Sequence, residues 1–331
     1  WNVDFPHLML RAKALGYKQG RAKFRDKLVT STDAIGKLAS IPIVANVVNA
    51  VNRNEHTRAL LESSLQIHAD ARLPEYHSKT LSKRSAGHQP ADIEVTPTDR
   101  TSGKVAIFAT CYGQYNEPLI GEDLLAVFEH NKIPTMIVRN TVCCGMPKLE
   151  LGDLDSVEKL KNHNIPLLAD LVDDGWDIIS PVPSCTLQFK QELPLMFPED
   201  AAVAKVQKEF FDPFEYLALR HRVGKIAYHV ACHQRVQRIG LKTRDILALI
   251  PDTEIDVIER CSGHDGTYAI KQEFHETSMK IVKPVVTRVR KAEADAYASD
   301  CPMAGHHISA GLADGTDTQH PMSLLRQAYG L

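Results

Sequence analysis

The sequence predicts an α/β protein: two pseudo-symmetric βαβ (Rossmann-like) halves with parallel sheets, preceded by an α-helical N-terminal segment. Three observations predict it. First, all seven cysteines fall into two copies of one pattern: Cys111, the pair Cys143-Cys144 followed by Gly145, then Cys185; and Cys232, then Cys261-Ser262-Gly263, then Cys301. Subtracting the positions gives offsets of 121, 118 and 116 residues, a near-constancy that means duplication. Second, each copy runs strand, helix, strand, helix, which calls for right-handed crossovers and a mostly parallel sheet. Third, the residues before the first copy carry helical spacing only. The resulting divisions are a helical segment over 1–85, a polar, proline-bearing linker over 86–103, a first half over 104–212 and a second over 213–331. At 331 residues the chain is long enough for more than one core.

In the N-terminal segment, Thr30-Ser31-Thr32-Asp33 supplies caps before an apolar run, and Thr57 to Ile67 repeats apolar residues at helical spacing. Ile41 to Val51 reads as a buried or partner-facing helix, too short and too rich in asparagine to span a bilayer. In the first half, Val105 to Ala109 is a continuous apolar run, as in a buried parallel strand, and it delivers Cys111 at its carboxyl end. Glu117 to His130 is helical, Thr135 to Val138 a strand leading to Cys143-Cys144-Gly145, Asp153 to Asp174 a long helix and Trp176 to Ser180 a third strand. Pro181 to Cys185 breaks the chain before another helix. The second half repeats the order: strand Lys225 to Ala231, Cys232, helix Ile239 to Ile250, strand Glu254 to Ile258, Cys261, a helix from Lys271 to Tyr297, then Cys301. Even the dipeptide Ile120-Gly121 recurs as Ile239-Gly240.

Hydrophobic content of 44% and charged content of 24% describe an ordinary globular protein, and a net charge of −2 gives no sign of nucleic acid. The charge is unevenly placed. Residues 1–60 hold ten Lys and Arg against four acids, a net +6 that leaves −8 for the rest. Such a segment can be a solvated helical face, or can dock on an acidic partner or an anionic membrane. An odd cysteine count with a vicinal pair makes a poor disulfide framework, so a reducing cytoplasm is expected, with peripheral contact at the inner face of the membrane as an option. The chain opens at Trp1 without methionine, which reads as a piece of a longer protein.

Strands of a parallel sheet place their ligands in the loops beyond their carboxyl ends, so cysteines distant in sequence can meet there. Cys111, Cys143, Cys144 and Cys185 are a complete set of four soft donors for a four-iron cluster or for zinc. In the second copy Ser262 replaces one thiol, leaving Cys232, Cys261 and Cys301, with Ser262, His264 and His233 as candidates for a fourth donor. Buried apolar thiols and structural histidines are the competing readings, the latter also for His306 and His307.

The repeated spacing Cys…Cys-Cys-Gly…Cys resembles the cysteine-rich CCG domains of heterodisulfide reductase catalytic subunits, of the iron-sulfur subunit of anaerobic glycerol-3-phosphate dehydrogenase, and of related glycolate and lactate oxidation subunits. The resemblance covers residues 104 to 310. Ala109 to Gly113, Cys143 to Lys148 and Arg260 to Gly266 look more closely like heterodisulfide-reductase-related proteins found with rubrerythrin. Residues 1 to 15 look like the stretch that succeeds a ferredoxin-type domain in such proteins. The resemblance implies [4Fe-4S] clusters, one or two, on Cys111, Cys143, Cys144 and Cys185 and on Cys232, Cys261 and Cys301. Each copy here ends in a single cysteine where the full family motif ends in Cys-x-x-Cys, which weighs against a noncubane double cluster.

Three functions are expected candidates: an electron-transfer subunit passing electrons to a partner oxidoreductase or a quinone; a thiol-disulfide or heterodisulfide reductase at a three-cysteine cluster; and a zinc-stapled scaffold. The expected redox partner is a flavoprotein, a ferredoxin-type domain or a rubrerythrin-like protein. Gly263-His264-Asp265-Gly266 is not a phosphate loop, and no dinucleotide fingerprint is present.

Overall fold

The computed structural model of the chain describes residues 4–93, 95, 97, 100–217, 226–237, 239, 241–250 and 253–331. Short apolar runs form the strands. Val105, Ala106 and Ile107 are wholly buried, as a strand covered on both faces requires, and make β1 (Val105–Ile107). β1 pairs in parallel with β2 (Thr135–Ile137) on one side and β3 (Asp177–Ile179) on the other, and β4 (Phe210–Phe211) extends the sheet beyond β3. The second sheet repeats the plan. β5 (Ile226–His229) lies between β6 (Ile255–Ile258) and β7 (Ala296–Ser299), again all parallel. The orders β2-β1-β3-β4 and β6-β5-β7 both put the first strand of the copy at the centre, flanked by its second and third. This is the duplication written in topology.

The helices preceding the sheets are α1 (Phe5–Lys18), α2 (Phe24–Val29), α3 (Thr32–Ala39), α4 (Pro42–Arg53), α5 (Glu55–Leu65) and α6 (Leu81–Arg84). Caps fix several of their starts: the Asp4 carboxylate accepts from the His7 amide, and Asn54 Oδ1 accepts from the amides of His56 and Thr57. The first half adds α7 (Thr110–Tyr115), α8 (Pro118–His130), α9 (Met146–Leu151), α10 (Leu154–Asp173) and α11 (Pro183–Leu187). A π-turn over Gln188–Glu192 comes next, then α12 (Leu193–Met196), α13 (Ala201–Lys208) and α14 (Pro213–Tyr216). The second half contributes α15 (Cys232–Val236), α16 (Lys242–Leu247), α17 (Gln272–Ala292), α18 (Pro302–Leu312) and α19 (Pro321–Ala328).

Three features depart from the sequence pattern. The helix expected from Lys271 to Tyr297 stops at Ala292, where Glu293 turns left-handed at φ 44°, and Ala296–Ser299 becomes β7. The pattern hid this strand because Ala-Tyr-Ala-Ser carries no β-branched run, while burial between sheet and helix favours it all the same. Cys185, expected ahead of a helix, instead sits inside α11, since Pro183 is a favourable first-turn residue. The helix expected from Ile239 begins at Lys242; Gly240 and Lys225 lie outside the described residues.

One apolar core runs through both halves, joining Ile107, Val127, Phe128 and Ile179 to Ile226, Tyr228, Leu247 and Leu325. α19, the last helix of the second half, crosses back to pack on α8, where Arg326 Nη1 donates to Asp123 at 2.8 Å. The N-terminal segment is pinned to α17 by Arg25, whose guanidinium bonds both carboxylate oxygens of Glu273 at 2.7 and 2.6 Å. α3 and α4 meet at 108°, and α4 leaves Ile43 and Val47 exposed. Only Ala45 of α4 is buried, so the helix lies at the surface.

Candidate metal centre

The first cysteine set is assembled by three loops at the carboxyl ends of β1, β2 and β3. After β1, Thr110 takes φ 62°, a costly conformation for a β-branched residue, and its Oγ1 accepts from the Gly113 amide at 3.0 Å. This kink turns Cys111 into the first turn of α7. After β2, the segment before Cys143 is held by Asn164, which exchanges hydrogen bonds of 3.0 and 3.1 Å with the Val142 backbone and donates at 3.1 Å to the Cys143 carbonyl. Asp33 of α3 accepts from the Cys143 amide at 2.5 Å. After β3, α11 raises Cys185. The sulfurs of Cys111 and Cys143 lie 3.8 Å apart and those of Cys144 and Cys185 3.1 Å apart, and a Cys143–Cys144 side-chain contact joins the two, so the four predicted residues lie together. Cys143, Cys144 and Cys185 are buried and Cys111 half-buried.

The second set stands on the matching loops. Cys232 opens α15 after β5, Cys261-Ser262-Gly263 comes after β6, and Cys301 caps α18 after β7. The two glycines behave alike. Gly145 at φ 100° and Gly263 at φ 73° each donate their amide to the sulfur two residues back, at 3.5 and 3.4 Å. Such donors stabilise negative charge on sulfur. Cys232 and Cys261 are exposed and Cys301 half-buried, which makes the second set the more open one.

Thiol pairing also polarises the sulfurs. Hydrogen bonds from the Cys111 and Cys144 thiols hold Cys143 well below the usual thiol range, while Cys111 and Cys144 are pushed up by those contacts and by burial. In the second set the contact with Cys232 brings Cys261 down to about 6, and burial raises Cys301 to about 11.

A cavity of about 1170 Å³ separates the two sets and is lined by Cys111, Cys144 and Cys185 from one and Cys232, Cys261 and Cys301 from the other. Ser262, His264 and His233 face it too, so the structure gathers every sequence-predicted candidate at this cavity or, for Cys143, immediately behind it. His264 Nε2 is buried with no hydrogen-bond partner, and burial pulls that imidazole down to about 3, keeping it neutral. Burial also lowers His233. His306 is committed elsewhere: its Nε2 meets Glu117 at 2.8 Å and clips the halves together. His307 Nε2 pairs with Ser278 at 2.7 Å. Asp33, Asn164 and Gln188 escape a reading of the sequence, because contacts across such distances leave no periodic signal.

A single zinc ion needs about four donors at ~2.0–2.3 Å around one point. Among the described residues no group of three or more His, Cys, Asp or Glu is arranged to hold one ion. Cys143 contacts both Cys111 and Cys144, and Cys144 contacts Cys185, so the four thiols form one continuous set of soft donors, the donor type iron-sulfur clusters use.

A family model described as a cysteine-rich domain, CCG, matches residues 105–190 and 226–309, one match over each sheet and its cysteine set. The chain belongs to the CCG family. Among its relatives, an anaerobic glycerol-3-phosphate dehydrogenase subunit from Escherichia coli is 27% identical over 339 aligned residues, covering 99% of this chain and 82% of that protein. A subunit of the CoM/CoB fumarate reductase of Methanothermobacter marburgensis is 26% identical, covering 89% of this chain and 60% of its own length. An uncharacterized iron-sulfur protein of Methanocaldococcus jannaschii is 28% identical over 70% of this chain and 45% of its own length. These CCG relatives bear iron-sulfur or redox-subunit names and give the zinc alternative no support.

Proposed function

We propose that the chain is an iron-sulfur electron-transfer subunit of a redox complex, with clusters of the [4Fe-4S] type on its two cysteine sets. The observation that carries this reading is that six thiols, three from each half, face one cavity. The relatives named as dehydrogenase and reductase subunits support it. Cys111, Cys143, Cys144 and Cys185 would hold the first cluster, with the Gly145 amide as a donor to sulfur and the more buried of the two settings. Cys232, Cys261 and Cys301 would hold the second, with the unpartnered Nε2 of His264 as fourth donor. Such a cluster supplies one-electron transfer at potentials set by its surroundings. The open second set is the side from which electrons reach a partner: a flavoprotein, a ferredoxin-type domain, a rubrerythrin-like protein or a quinone. The basic N-terminal segment, with Ile43 and Val47 exposed on α4, offers the docking face for that partner or for an anionic membrane. Among the described residues no single helix is long and apolar enough to cross a membrane.

The test is anaerobic reconstitution of the full chain with iron and sulfide, then metal analysis and electron paramagnetic resonance. Visible absorption that bleaches on reduction is expected; its absence at full iron supply sinks the proposal. At the second set, His264→Ala should reduce bound iron while Ser262→Ala leaves it unchanged. The reverse result would make Ser262 the donor.

A second reading, thiol-disulfide chemistry, is favoured by the exposure of Cys232 and Cys261. It requires turnover of a disulfide that is abolished by Cys261→Ser.

A further inference from the structure

Gln188 is an anomaly in the first half. Its side chain is wholly buried, yet neither Oε1 nor Nε2 has a hydrogen-bond partner. An amide buried without a partner costs about 1–3 kcal/mol, so such a group calls for a reason. Its neighbours in sequence, Leu187 and Phe189, belong to the apolar cluster that also contains Cys143, Cys144 and Cys185. Gln188 lies three residues after Cys185 and so on the same face one turn on. It opens the π-turn Gln188–Glu192, a local widening of the helix of the kind that clusters at functional sites. Its Nε2 lies 3.4 Å from the point a Cβ on Gly145 would occupy, which places the amide against the Cys144-Gly145 corner. An unpartnered amide thus stands one helical turn from Cys185 and against the glycine that follows Cys144.

We infer that Gln188 is a positioning residue of the first cysteine set: its side-chain amide donates a hydrogen bond to sulfur of the bound iron-sulfur cofactor. This rests on the reading of that set as a cluster site. Hydrogen bonds to cluster sulfurs raise the reduction potential by stabilising the added negative charge. The role is electrostatic, since Gln188 neither ligates nor titrates.

The experiment uses the full chain, reconstituted anaerobically, as wild type, Gln188→Leu, Gln188→Met and Gln188→His. Iron content and visible absorption are read first, then the midpoint potential of the first cluster by mediated titration monitored by electron paramagnetic resonance. The leucine and methionine variants should retain iron and move to a more negative potential, by about a tenfold change in the one-electron equilibrium, or ~59 mV. Gln188→His, which returns an N–H donor, should stay near wild type. Equal potentials in all four proteins at full iron content overturn the inference alone. A wild type that takes up no cluster overturns the underlying reading and this inference with it. Should the variants fail to fold, the wild type labelled with side-chain ¹⁵N-glutamine decides the matter: electron spin echo modulation from that nitrogen is expected, and no coupling overturns the assignment.

Discussion

Gly145 and Gly263 each bend the chain directly after a cysteine or its serine counterpart, and a side chain at either position would disturb the loop. Both occupy the left-handed region, which costs an L-residue about 1–2 kcal/mol. Gly263→Ala should cost more than Gly145→Ala, because its Cβ would lie 2.7 Å from the Ser278 carbonyl oxygen, against 3.4 Å from the flexible Gln188 amide at Gly145. Chemical denaturation of the iron-free chain measures both, and equal losses would contradict the steric argument. Asn164→Ala should lower stability by about 1–3 kcal/mol, since it strands backbone groups of Val142 and Cys143 that this buried amide satisfies. The glycines and cysteines are legible in the sequence because their spacing repeats. Asn164, Asp33 and Gln188 are not, since a polar residue in a helix looks the same whether it faces water or a loop more than twenty residues away.

Secondary structure is legible where one physical signal dominates. β1, β2 and β6 are short runs rich in β-branched residues, β5 lies in the mostly apolar stretch before Cys232, and α10 and α17 carry long helical periods. β7 is hidden because the apolar spacing of α17 continues past the left-handed cap at Glu293, and only packing ends the helix there. α19 offers a test at this level. Its N-cap is His320, whose Nδ1 accepts from the Met322 amide at 3.1 Å while Nε2 contacts the Pro181 carbonyl at 3.3 Å. Burial lowers this imidazole to about 4 from an ordinary value of 6.5. The unfolded chain therefore binds the proton first as the pH drops. Stability from this group is complete above about 6.5 and is lost as the pH falls toward about 4, by at most about 3 kcal/mol. His320→Asn keeps a capping side chain and should flatten the pH dependence of the melting temperature between those values. An unchanged slope would mean other groups dominate.

At the scale of the whole molecule, the two halves share a core and are tied by a returning helix. Leu325 of α19 is buried in that common core, so Leu325→Ala should cost about 2–5 kcal/mol and lower both halves in a single transition. Two separate transitions in calorimetry would show that the halves melt independently. The duplication can be read from the cysteine spacing, but this crossover cannot, because the docking of α19 on α8 depends on surfaces that only the assembled sheets create.

The difference in burial between the two cysteine sets has a practical side for anyone who opens the tube in air. Peroxide and dioxygen attack thiolates that water can reach, and oxidation beyond the sulfenic state is not reversed by ordinary reductants. Cys261, exposed and drawn down to about 6, is the first candidate, while the contact between the two pushes the neighbouring Cys232 thiol up and keeps it protonated. Cys144 and Cys185 are shielded. Mass spectrometry after a brief iodoacetamide pulse on the iron-free chain should find Cys261 alkylated well before Cys144 and Cys185. A preparation handled aerobically would then be lopsided, intact in one half and spent in the other, and would pass for a single-centre protein.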